Sequence, residues 1–299
     1  MLSAIKGRCF PMWLSCVMLA CVAVWSASPQ SEQVGKQSGI VLRYKSRVGD
    51  LMRYRSWFRM RAIGVSDGET KLRTTFSYEA IYAHAVSSVS PDGTFEMETT
   101  RESGKVQRDG REEDLSGKPY KRIVRMNDRG KVLEERVVEG EEREDESKFA
   151  DPIVLMDEVH SRAVQNIAFP EGAVNKGTEW TTALTERIAN SVVNITIKSK
   201  VVDFVELDGH KCAVIESEIS APVDMSVRVG EFDIKLDGEF KAWTTLHFDY
   251  ERGIEVLSED QIRAVINQTA RAQGRSVNLQ FKVAANAKSV LLSYRAAGK

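Results

Sequence analysis

Apolar and polar residues alternate with a period of two along most of this chain, the pattern of a strand with one face in the core and one in water. The clearest run is Phe232-Asp-Ile234-Lys-Leu236. Others are Val223/Met225/Val227/Val229, Phe240/Ala242/Thr244/Leu246/Phe248 and Val277/Leu279/Phe281/Val283. Upstream, Leu51 to Ile63, Thr74 to Ala83, Phe95 to Thr99 and Lys121 to Met126 read the same way. Strands polar on one side belong to antiparallel sheets, because parallel sheets are covered on both faces. The pattern therefore predicts an all-β protein of long antiparallel amphipathic strands, in one or two curved sheets or half-barrels.

Turn chemistry points to sequential hairpins. Asp92-Gly93 and Asp208-Gly209 each stand between alternating runs, and Asp-Gly tolerates the positive φ angles of a tight hairpin. Asp109-Gly110, Asn127 to Gly130 and Asp237-Gly238 are further turns of this kind. The two halves also share an order of signals. Gly49-Asp50 opens a strand bearing Tyr54 and Trp57, and Gly177-Thr178 opens one bearing Trp180. Each half then reaches an Asp-Gly hairpin and a Gly-containing turn, at Arg129-Gly130 and Arg252-Gly253. A tandem duplication is expected from this; the competing explanation is that meanders reuse such turns whatever their ancestry.

One helix is expected between the halves. Asp151-Pro152 supplies a cap and a first-turn proline, and Ile153, Met156 and His160, flanked by Val154 and Val164, approximate an apolar face. The expected organisation is a leader at 1–27, a flexible tether at 28–38, an N-terminal β half at 39–150, a helical connector at 151–168 and a C-terminal β half at 169–299.

The leader changes the picture of where the protein works. Lys6 and Arg8 precede an uncharged apolar run from Phe10 to Trp25, about 16 residues where a spanning helix needs roughly 20. Small residues follow at Ser26 to Ser28. This reads as a secretory signal, giving a periplasmic, cell-surface or extracellular protein. A second reading is a lipobox at Met18-Leu-Ala-Cys21, which makes Cys21 the lipidated N-terminus.

Composition adds exclusions. The chain has 42 basic and 43 acidic residues, so no broad field steers it to nucleic acid, and membrane contact is expected only through the leader or a lipidated Cys21. Outside the leader Cys212 is the one cysteine, expected as a buried thiol. His84, His160, His210 and His247 lack ligand spacing and read as surface or rim residues, so no metal and no cofactor is expected. The acidic run from Glu139 to Glu146 lacks the alternating ligands of a Ca²⁺ loop and reads as solvated charge. No phosphate-binding glycine loop or nucleophile elbow occurs, and no catalytic residue can be named. Trp57, Trp180 and Trp243 are expected in the core, the alternative being the wall of an apolar pocket.

Two short windows carry a resemblance. Pro170, Val174, Gly177, Thr178 and Trp180 fit the Pro-x-x-x-Val-x-x-Gly-[Asp/Thr]-x-Trp signature of a family of uncharacterised exported bacterial proteins, and Phe248-Asp-Tyr-Glu-Arg-Gly253 is similar to their Phe-Asp-x-x-x-Gly turn. More distantly, the chain resembles the lipoprotein-carrier (LolA-like) fold, a curved antiparallel sheet closed by helices around an acyl-chain cavity. The resemblance implies an envelope protein and transfers no binding residue. The expectation is a non-enzymatic exported protein binding a hydrophobic or lipidic ligand, with a structural or protein-interaction module of the envelope as the alternative.

Overall fold

A computed structural model describes residues 39–140, 151–188 and 191–298. The leader, the tether, Cys21 and the acidic residues 141–146 lie outside the described residues.

The strands form one antiparallel sheet of twelve, in the order β6-β5-β3-β2-β1-β12-β11-β10-β9-β8-β7, with β4 (Arg111–Asp114) paired to β3 alone. The strands flanking the centre are β1 (Leu51–Ser66), β2 (Glu69–Val89) and β12 (Arg275–Arg295). β3 (Phe95–Arg108), β5 (Lys121–Met126) and β6 (Val132–Glu139) run to one edge. β11 (Ile254–Ala272), β10 (Phe232–Asp249), β9 (His210–Val229), β8 (Ser191–Leu207) and β7 (Glu179–Ile188) run to the other. The expected all-β, antiparallel class is the observed one, in a single open sheet. Each half reads across the sheet from its last strand to its first, and the halves meet where β1 pairs with β12.

Local chemistry sets the hairpins. Asp67-Gly68, Asp109-Gly110, Asp208-Gly209 and Gln273-Gly274 all have positive φ at both residues, between 48° and 82°, as a two-residue turn matching strand twist requires. Asp237-Gly238 departs from expectation: it lies inside β10, not at a turn. A Cβ on Gly238 would stand 2.1 Å from the Val265 carbonyl oxygen, so the glycine serves close strand approach there.

The helix α1 (Pro152–Val164) is capped by Asp151, whose carboxylate accepts from the Ile153 amide at 2.9 Å. Its buried face is Leu155, Met156, Val159, His160 and Ala163, with Ile153, Val154 and Val164 at the flanks. This face joins the inward-pointing residues of β7 to β12 and Met60 and Ala62 of β1 in one continuous core.

Three segments converge over the far end of the same face. Ile40 bridges to Val174, the Tyr44 amide donates to the Asp128 carbonyl at 2.7 Å, and the Phe169 amide donates to the Arg129 carbonyl at 2.8 Å. Arg43 ties the knot: its guanidinium donates to the Pro170 and Glu171 carbonyls and pairs with Asp128 at 3.2 Å. The residues resembling the exported-family signature are part of this knot.

Candidate functional site

Between the helix-covered core and this knot the inner face of the sheet is hollow. The cavity measures about 290 Å³, and its cause is written in the register. Ser56 of β1 pairs with Ser289 of β12, which pairs with Ser258 of β11, so three neighbouring strands present serine on one inward row. On the other side Ser56 pairs with Ala80, and Ala80 with Gly104. One row further along, Phe58 packs against the filled core instead. A row of small side chains leaves a floor that no neighbour reaches, whereas cores elsewhere close to crystal-like density.

Above that floor stand apolar walls: Met52, Phe95, Met97, Leu246 and Ile254, with Ile167 from beyond the helix. Polar groups gather at two places. At the first, Arg122, Thr99 and His84 occupy consecutive cross-strand positions on β5, β3 and β2. Arg122 donates to Glu135 at 2.8 Å, and Thr99 Oγ1 lies 3.3 Å from His84 Nδ1. With its amide oxygen turned to Arg122, Gln165 of the post-helix turn accepts from Arg122 and donates to Glu135, both at 3.0 Å. Burial, reinforced by the Arg122 charge, holds the His84 imidazole neutral with a pKa of about 3. The rings of Tyr54 and Tyr82 meet His84 edge-on, and Tyr82 bonds to Tyr78 through their hydroxyls.

The second polar group is Glu255. Its carboxylate accepts from the Tyr44 hydroxyl at 2.5 Å, and its backbone carbonyl from the Tyr54 hydroxyl at 3.0 Å. Burial pushes the Glu255 carboxyl above the usual range, against the pull of the Tyr44 hydrogen bond. Tyr44 comes from the segment preceding β1 and packs on Phe169 and Phe248 with ring centroids 5.6 and 5.2 Å away. The knot thus supplies one wall of the cavity. Apolar walls with few oriented donors and acceptors are what a small-molecule site needs: the walls desolvate the ligand and the polar groups fix its orientation.

The histidines correct the expectation drawn from their spacing. His84 lines the cavity and His160 is on the buried face of the helix, so neither is a surface or rim residue. His160 Nε2 lies 3.8 Å from Asp260 Oδ2, and burial lowers the imidazole to about 4 while raising the carboxyl to about 6. Asp249 partners His210 at 2.8 Å. Burial pushes its carboxyl up, but hydrogen bonds from Arg252 and His210 outweigh this and hold it below the usual range. Cys212 is buried as expected, its thiol pushed up to about 11 by burial.

Two of the three tryptophans lie outside the core. Trp57 carries Arg55 over its ring on the outer face, and Trp243 is 38% exposed there. Trp180 alone packs inward, its indole donating to the Ala168 carbonyl at 2.9 Å. The residues missed by sequence reading do carry a signal. His84 stands on the inward parity of Ala80, Tyr82 and Val86, and Arg122 on that of Val124 and Met126. A charged or ionisable side chain on the apolar parity of a strand marks a buried polar group, which persists only with partners.

Among the described residues, no group of three or more His, Cys, Asp or Glu converges as metal ligands do. No family model matches the chain, and no curated protein matches it either.

Proposed function

We propose that this is an exported binding protein that holds a small hydrophobic or lipidic ligand on the inner face of its sheet. The observation that carries this reading is the cavity itself, about 290 Å³, walled by methionine, phenylalanine and aliphatic side chains and floored by serines. Its size stands at the lower end of ligand pockets, roughly 300–1,000 Å³, and suits one compact apolar group or a single chain end. Affinity comes from burial, at about 25 cal/mol per Å² of apolar surface removed from water. Arg122, His84 and Glu255 orient whatever polar atoms the ligand carries. The leader, with its short uncharged run, supports export.

The test is extraction of protein purified from its native envelope with organic solvent, with mass spectrometry on both fractions, followed by titration of the stripped protein with a fluorescent fatty acid. A stoichiometric small amphiphile in the extract, displaced by the probe, is the expected result. An empty extract together with no saturable probe uptake refutes the reading and leaves an envelope interaction module.

A further inference from the structure

The outer face of the sheet carries many paired charges. Arg55 bonds to Glu79, Lys288 to Glu259 at 2.8 Å, Lys241 to Glu239 at 3.0 Å and Lys200 to Glu179 at 2.8 Å. Other cations stand there without an ion pair among the described residues, such as Arg125, Arg187 and Lys198, and in one patch five such cations gather on adjacent strands. Arg59, Arg61, Arg73, Arg263 and Lys282 are all exposed, and none stands within ion-pair distance of a carboxylate among the described residues. The register brings them together on four adjacent strands. Arg61 of β1 and Arg263 of β11 both pair with Ala284 of β12, and Arg73 of β2 and Lys282 of β12 both pair with Ile63 of β1. Arg59 stands two positions along from Arg61, opposite Asn286.

Cations two strands apart sit about 10 Å from each other, near the Debye length at physiological salt, so they repel without screening one another out. The overall balance of 42 basic and 43 acidic residues is therefore not the local balance of this patch. What lies between the charges identifies the partner. Across the strands the cations alternate with apolar residues, Arg73–Ile63–Lys282–Val265 in one row and Arg61–Ala284–Arg263 in the next. Val265 is 45% exposed, and Trp243, 38% exposed, lies at the edge of the patch beneath the Arg263 guanidinium, 5.8 Å from its ring centroid. A linear polyanion needs a charged track and gains nothing from exposed valine and isoleucine. An anionic bilayer meets both, because its headgroups take the cations while tryptophan and aliphatic groups enter the interface.

We infer that this outer-face patch docks the protein on a membrane surface rich in anionic phospholipid, a contact separate from the leader and from the cavity. The full chain is tested by vesicle flotation with mixed phosphatidylglycerol–phosphatidylcholine vesicles against pure phosphatidylcholine, at low and high salt. Any contact made by the apolar leader persists on neutral vesicles, so the patch is read as the excess on anionic ones. Arg61→Ser/Arg263→Ser is expected to weaken that excess about 30-fold at unchanged melting temperature. Lys200→Ser/Lys211→Ser, which removes the same charge from paired positions, leaves it within a factor of a few. Equal binding to both vesicle types, or equal loss in both double variants, overturns the inference. So does tight, salt-sensitive capture of soluble polyphosphate without preference for anionic vesicles.

Discussion

The inner face of this sheet is two regions built differently from the same alternation. Under the helix, inward residues of β8 to β11 such as Ile197, Ile219, Phe240 and Ile262 are almost wholly buried, and Leu155, Met156 and Val159 fill the space above them. Beyond it, Ser56, Ser258 and Ser289 leave the cavity open, and His84, Arg122 and Glu255 look into it. A belt of polar residues divides the two: Asp260 pairs with Thr244, Thr244 with Ser217 and Ser217 with Ser199, and the two serine hydroxyls lie 2.8 Å apart. The filled core lies on one side of the belt and the hollow on the other. A fold that buries this much at one end tolerates an unfilled, polar-lined pocket at the other.

Truncation is the strongest test of that division. Phe240→Ala in the filled half is expected to cost about 3–5 kcal/mol, whereas Met97→Ala on the cavity wall, already half-exposed to the hollow, costs under about 1.5 kcal/mol. Urea denaturation of both variants checks it, and equal costs erase the distinction between the halves. Insertion sharpens it. Ala242→Leu overpacks a closed region and costs about 1–3 kcal/mol, while Ser289→Leu enters empty space, changes stability by less than about 1 kcal/mol and abolishes uptake of the fatty-acid probe. If Ser289→Leu binds the probe as well as wild type, the ligand lies elsewhere.

The smallest effect is in the pH dependence. His84 and His160 both have depressed pKa values in the fold, about 3 and about 4, against an ordinary 6.5. Their contribution is fully present above pH 6.5 and is lost as pH falls, because the unfolded chain takes up the protons first. Asp260, raised from 3.8 to about 6, and Glu255, also raised by burial, act oppositely at lower pH, so the two histidines make stability fall as pH first drops below 6.5. His84→Asn removes one proton from that balance and lowers the slope by up to about 1.4 kcal/mol per pH unit. An unchanged slope shows that His84 titrates normally and that its end of the cavity is wet.

The alternation made the strands legible, as at Lys121–Met126, where the expected and observed bounds coincide. It is a local signal, set by which side of the pleat a residue takes. The cavity was not legible, because it depends on which serines become neighbours, and pairing of residue 56 with residue 289 is a property of register across the whole chain. Trp57 and Trp243 misled for a related reason. A large aromatic predicts burial on average, but each stands on the outward parity, where an arginine covers its ring instead. At Asp237-Gly238 a turn signal was overridden by a strand that needed a missing side chain more than a bend.

The seam between β1 and β12 fixes the order in which the molecule can be finished. Leu51 pairs with Arg295 and Val65 with Gln280, so the central contact of the sheet joins residues more than 200 positions apart. Contacts of that span form slowly, since the loop entropy must be lost before any pairing rewards it. Until β12 is in place, β1 and β11 each present an unpaired edge, the geometry that invites pairing with other chains. Folding of the N-terminal half therefore waits on β12, and a chain truncated within β12 is expected to aggregate.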